Sequence, residues 1–161
     1  MIDTKATNPK DRIGATKLPT TIVPDVLYTY AALSFLEGAS KYGAANWSEA
    51  GVRCSIYLDA ISRHLMKFKA GEWADPQTKV PHLSSVLAGV GIILDAHTRG
   101  MITDDRPPAN PELIALIDSM GDDVLSIQEI FSGHDPHQYT ILDGDPDANG
   151  DGYPDSCACT N

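Results

Sequence analysis

The chain has 161 residues, 42% of them apolar and 21% charged, which suits one domain with a real core and argues against wholesale disorder. No apolar run reaches the ~20 residues of a bilayer span. The thirteen residues His82–Leu94 are uncharged but fall short of that length, and the opening MIDTKATNPKDR holds no hydrophobic segment of the signal-peptide kind, so a cytoplasmic protein is expected. The net charge of −10 is uneven: residues 1–100 carry eleven Lys/Arg and nine Asp/Glu, whereas residues 101–161 carry one Arg and thirteen Asp/Glu. That excludes the basic stripe of an extended nucleic-acid surface but leaves cations enough for a small phosphorylated ligand.

Residues 1–23 are polar, punctuated by proline and without a sustained period. A first helix is predicted from Pro24 to Tyr42. Pro24 suits a first turn, Asp25 favours the positive end, and Gly43 is a natural stop. Its apolar groups point in almost every direction and its one internal charge is Glu37, so it is expected to be central and buried. A second helix runs roughly from Val52 to Ala70. Cys54, Tyr57, Leu58, Ile61, Leu65 and Phe68 make its apolar stripe, and Asp59, Arg63 and Lys67 line the opposite face. The third, from near Pro81 to about Arg99, is rich in Gly, Ala and Ser, which permits close helix approach. After RPPANP (106–111) a fourth amphipathic helix spans Glu112 to Phe131, with Gly121 as a candidate break. No alternating strand is visible in 24–131. The fold class is therefore all-α, a bundle of about four helices over residues 1–131, followed by an irregular acidic tail over 132–161.

Several side chains in this frame can carry chemistry. Glu37 and Lys41 are four apart and share a helix face; an ion pair is the plain reading, yet a lone carboxylate in an apolar helix is costly unless compensated. Glu72 and Asp75 are three apart and can converge on one hard divalent cation, with Glu37 and Asp59 on neighbouring helices completing a carboxylate cluster. Arg63 and Lys67 suit phosphate oxygens, alongside Lys41, although Arg63 can equally pair with Asp59. His64 borders the apolar stripe and reads as a structural histidine. His82, at a helix start, has a capping or orienting role to weigh against ligand contact. Lys10, Arg12 and Lys17 can reach phosphates, Asn8 or Asn46 can read a base edge, and Trp47 can stack on a base or close a core. The three cysteines are too few for a disulfide framework: Cys54 reads as a small buried hydrophobe, and Cys157 with Cys159 as a C-x-C in the tail.

TNPKDRIGATKLP, KYGAANW, RHLMKFKAGEWAD and PHLSSVL, in this order over about residues 7–97, resemble the phage dATP/dGTP diphosphohydrolase family. Those proteins are similar to the MazG-like all-α NTP pyrophosphohydrolases, and the nearest likeness is to the phage MazZ type. The resemblance implies cleavage of a (d)NTP, dGTP favoured and dATP possible, to the nucleoside monophosphate and pyrophosphate with Mg²⁺ or Mn²⁺. It also implies a part in 2-aminoadenine nucleotide synthesis or control of the nucleotide pool in an infected cell, and a homo-oligomer, dimer or tetramer. MazG-like proteins carry EExxE and then ExxD. Here Glu37 is followed by Ser40, so the first motif is incomplete; the second is either Glu72 to Asp75 or the place held by His82 and Ser85. The mechanism expected from phosphoanhydride chemistry has Glu37 and Asp75 as catalytic carboxylates. Divalent ions held by Glu37, Asp59, Glu72 and Asp75 would clamp the phosphates and activate water, while Lys41, Arg63 and Lys67 balance charge.

In the tail, Asp145, Asp147, Asn149, Asp151 and Asp155 place oxygen side chains at near-alternate positions around Gly150, a candidate calcium loop over 143–157 similar to a thrombospondin type-3 repeat. A flexible acidic tail is the competing expectation. Two other functions fit parts of the chain. One is an HD-type triphosphohydrolase, for which His134-Asp135 is the available dyad; the other is a calcium-dependent interaction module without catalysis.

Overall fold

The computed structural model describes residues 9–143. Six α-helices follow in order: α1 (Pro9–Gly14), α2 (Asp25–Tyr42), α3 (Asn46–Ala50), α4 (Cys54–Lys69), α5 (His82–Thr98) and α6 (Pro111–Ile130). Short 3-10 turns lie at Thr20–Ile22 and Ile141–Asp143. Two-residue strands, β1 (Val52–Arg53) and β2 (Ile102–Thr103), pair in parallel, Val52 opposite Ile102. The fold is all-α with this one small ribbon, and no described helix is long and apolar enough to cross a membrane.

The helix ends follow the punctuation in the sequence. Gly43 closes α2 at φ 89°, a conformation that costs a residue with a Cβ, and its N–H reaches the Ala39 carbonyl at 2.9 Å. Asn110 caps α6 by accepting from the Leu113 N–H at 2.9 Å, with Pro111 in the first turn. Gly121 does not break α6, which is continuous.

Helix α5 is the centre of the bundle, with α4 and α2 both packed on it. Small residues make this possible. A Cβ at Gly89 would lie 2.8 Å from Cγ1 of Ile61 on α4, and one at Gly91 would meet the Phe35 ring of α2 at 3.5 Å. Ala88, Ala96, His82 and Ser84 of α5 are buried, together with Val52 of β1 and Cys54 at the start of α4. The expectation of a buried α2 is not met, since none of its residues is buried. Its main packing is on α5, and Tyr28 (84% exposed) and Leu36 (66%) lie on surface that the described residues leave uncovered.

The ribbon is the other departure from the helical expectation, because two residues per strand are too few to show an alternation. It ties the start of α4 to the end of α5, and the chain beyond it then caps α4. The Asp105 carboxylate accepts from the Ser55 N–H (2.8 Å) and the Ser55 hydroxyl (2.6 Å). These bonds hold its carboxyl below the ordinary range, and the Arg106 guanidinium holds that of Asp104 down to about 2. The unfolded chain takes up these protons at ordinary carboxylate pH, ~3.9. The stabilisation is therefore complete above that pH and is lost as pH falls through the folded values. Asp105→Ala should therefore lower the thermal midpoint by a few degrees, equally at pH 7 and at about pH 5, and this gap from the wild type should close below about pH 4. Differential scanning fluorimetry across pH checks both.

Candidate active site

A cleft of about 280 Å³ opens between α2, α4 and α5, with α3 at its rim. Glu37 and Lys41 from α2, Asn46 and Trp47 from α3, His64 from α4 and Ser85 from α5 are among its lining residues. Glu37 and Lys41 form the ion pair their spacing suggested, at 2.6 Å, with the Glu37 side chain 22% exposed. The bond from Glu37 raises the Lys41 ammonium above its ordinary value, and Asp75 adds to the attraction, so the cleft keeps a fixed cation at neutral pH.

Trp47 forms an aromatic wall with Phe35 (centroids 5.3 Å apart) and is anchored, its indole N–H donating to Asp95 Oδ2 at 2.9 Å. Asp95 also accepts from Arg99 Nε, and the Trp47 bond first, then Arg99, hold its carboxyl below the usual range. The edge of the indole is thus committed, and its ring is what the cleft can use. Tyr42 and Tyr57 also line the cleft; burial, then the neighbouring Tyr42, pushes the Tyr57 phenol up.

Beneath this cleft lies a polar chain assembled by the segment between α4 and α5. Trp73 stands edge-on to Tyr30 (6.5 Å) and tilted to Phe68 (6.1 Å), Ala74 bridges to Pro81, and the His82 N–H donates to the Trp73 carbonyl at 3.0 Å. This folded-back segment brings Glu72 to His82: Glu72 Oε1 lies 2.7 Å from His82 Nε2 and 3.1 Å from Lys67 Nζ. His82 is fully buried, and its Nδ1 is 2.9 Å from Nδ1 of His64. Burial first, then His82 and Lys67, lowers the His64 pKa, keeping that ring neutral at pH 7. The bonds from His82 and Lys67 hold the Glu72 carboxyl below its ordinary value.

The four carboxylates expected to share metal ions are not gathered. Asp75 Oδ1 accepts from the Gln77 and Thr78 N–H groups, at 2.9 and 3.0 Å, and so organises the turn before α5. Glu72 braces His82 and Lys67, and Asp59 is exposed on α4. Among the described residues no three His, Cys, Asp or Glu side chains are grouped as a metal cage. Asp59 and Arg63 make no ion pair with each other, and Arg63 is exposed, acting on His64 by its charge. Lys10 is exposed on α1 and is not among the cleft residues. Asn8, the calcium-loop residues Asp145, Asp147, Asn149, Asp151 and Asp155, and Cys157 and Cys159 lie outside the described residues. His134 stands edge-on to Phe131 beyond α6, on another surface from the cleft.

The pair His64–His82 is the part of the site that sequence reasoning undervalued. Eighteen residues separate the two, and nothing in either local pattern says that they meet. Asp95 had a visible signal, since it is the first charge after the uncharged stretch of α5.

An all-α bundle whose cleft combines a fixed ammonium, a carboxylate, a neutral imidazole and an aromatic wall is built for a small anion carrying a ring. The chain belongs to the dATP/dGTP diphosphohydrolase family: the model of that family's N-terminal domain matches residues 7–106, a stretch that takes in α1 to β2 and every residue lining the cleft. The family name gives the activity class, a hydrolase acting on a purine deoxynucleotide. No significant match is found among curated proteins or among solved structures.

Proposed function

We propose that this protein hydrolyses a purine deoxynucleoside triphosphate, dGTP ahead of dATP, to the nucleoside monophosphate and pyrophosphate in the cleft between α2, α4 and α5. The observation that carries the reading is the meeting of Glu37, Lys41, Asn46 and Trp47 in one cleft, beside His64. Lys41 supplies charge to the phosphates, and Lys67 and Arg63 on α4 extend the cationic side. The base lies along the Trp47–Phe35 wall with Asn46 within reach of its edge. The order of dGTP over dATP, and a role in 2-aminoadenine synthesis or pool control in the cytoplasm of an infected cell, rest on the likeness to the MazZ type.

Mg²⁺ or Mn²⁺ belongs to this reading as the companion of the triphosphate, which binds such ions itself. The described side chains do not fit a resident cage, because Glu72 and Asp75 are directed to other tasks and Asp59 is exposed on α4. EDTA is expected to reduce turnover to background, with recovery on adding excess Mg²⁺ or Mn²⁺.

Product analysis by anion exchange, with each dNTP and GTP offered in turn, tests the reaction. Monophosphate plus pyrophosphate, fastest with dGTP, is the expected result. Nucleoside plus triphosphate would move the chemistry to an HD-type site such as His134-Asp135, and no turnover of any nucleotide would sink the hydrolase reading.

A homo-oligomer is also proposed. The apolar side of α6, with Leu113, Leu116, Ile117 and Met120 roughly half exposed, makes no packing with another described helix comparable to that of α4 on α5. Exposed apolar surface on this scale marks an interaction site. Light scattering after size exclusion should give the mass of a dimer or tetramer.

A further inference from the structure

Glu72, His82 and His64 form a line of hydrogen bonds running from the edge of the bundle to the cleft. Two imidazole nitrogens at 2.9 Å cannot both present lone pairs, nor can both present protons, so one ring donates and the other accepts. Glu72 fixes the direction. An ionised carboxylate only accepts, so His82 Nε2 carries a proton toward it. For two neutral rings this makes His82 Nδ1 the acceptor and His64 Nδ1 the donor. A neutral His64 that donates from Nδ1 keeps its lone pair on Nε2. That nitrogen has no protein partner among the described residues, and the ring lines the cleft.

We propose that His64 takes the proton of the attacking water through Nε2, and that the buried His82, braced by Glu72, is the positioning residue that leaves that nitrogen unprotonated. This rests on reading the cleft as the hydrolytic site. In the step, the water oxygen bonds to phosphorus of the α–β anhydride. One water proton passes to His64 Nε2, and the P–O bond of the anhydride breaks with its electron pair leaving on the departing phosphate group. Attack at either phosphorus gives the same products. The new proton makes His64 an imidazolium, whose Nδ1 proton can move to His82 Nδ1 and place the charge beside Glu72. The other groups acting on His64 are Lys67 and Arg63 on its own helix, which oppose the imidazolium, and Glu37 on α2, which favours it.

The arrangement is tested on the full chain by ¹⁵N NMR of the histidine side chains together with kinetics. In the wild type, His64 should show a protonated Nδ1 and a lone-pair Nε2. His64→Gln should lower kcat by about 10²–10⁴ with KM within about threefold. His82→Leu removes the acceptor and should lower kcat by about 10–100-fold while His64 loses its single tautomer. His82→Asn can place an amide oxygen where Nδ1 stood, and should keep both the tautomer and most of kcat. A proton on Nε2 of His64 in the wild type, or a folded His82→Leu variant with full kcat, would overturn the proposal. A packing role alone would shift the thermal midpoint of both His82 variants and leave the His64 spectrum unmoved. If the wild type turns over no dNTP, the hydrolytic reading falls and the proton-acceptor role falls with it. If turnover is present but the tautomer is reversed, this proposal alone is lost.

Discussion

Lys41→Met is expected to lower kcat/KM for the preferred dNTP by about 10²–10³, the usual cost of deleting one preorganised charge or donor from a phosphate site. The ammonium is held in the cleft by Glu37 at 2.6 Å, and that bond keeps it cationic. Glu37→Gln should therefore also impair turnover, by leaving Lys41 free to turn toward solvent. If Glu37 works through Lys41, the double variant will be no slower than Lys41→Met, since residues acting as a unit are not additive. Steady-state kinetics of the four proteins decides this. A double variant slower by the product of both effects would give Glu37 a task of its own, and full turnover by Glu37→Gln would remove it from the site.

Gly51→Ala should cost about 2–4 kcal/mol of stability, the largest loss expected from adding one methyl group at a described glycine. Gly51 sits at φ 73°, and a Cβ there would lie 2.8 Å from the Met101 carbonyl oxygen. That oxygen accepts the Val52 N–H at 2.9 Å, so it cannot yield without opening the ribbon that joins α4 to α5. Left-handed strain and the clash therefore add. Gly121→Ala is the contrast: it is helical, with nothing within 4 Å of the added carbon, and should gain up to about 1 kcal/mol. Urea midpoints at fixed protein concentration measure both, and a neutral Gly51→Ala would show that the ribbon is dispensable.

The helices were readable because their signals are local. Pro24 and Gly43 bracket α2, Gly71 follows α4, and Pro81 and Gly100 bracket α5 to within a residue or two. The Gly/Ala/Ser content of α5 pointed to close packing, which Gly89 against Ile61 and Gly91 against Phe35 bear out. The exposure of α2 was not readable, because apolar composition states that a surface is to be covered without saying by what. Glu37 with Lys41 was legible for the same reason as the helix ends: four residues along a helix place two side chains on one face whatever the fold. The expected convergence of Asp59, Glu72 and Asp75 on Glu37 was of another kind. It required distances between elements, and short-range bonds that no pattern announces commit two of them: the turn N–H groups claim Asp75, and His82 claims Glu72.

Chain order and residue type were thus enough for the all-α class, the helix limits, the family likeness over the first hundred residues and the Glu37–Lys41 pair, since each depends on neighbours within about a turn or on a run of motifs. The joining of α4 to α5 by a parallel ribbon, the anchoring of Trp47 by Asp95 and the line Glu72–His82–His64 came from the folded molecule. Those contacts span ten to fifty residues, and their partners are picked by the way the backbone turns back on itself, a result of the whole packing that no local stretch of side chains carries.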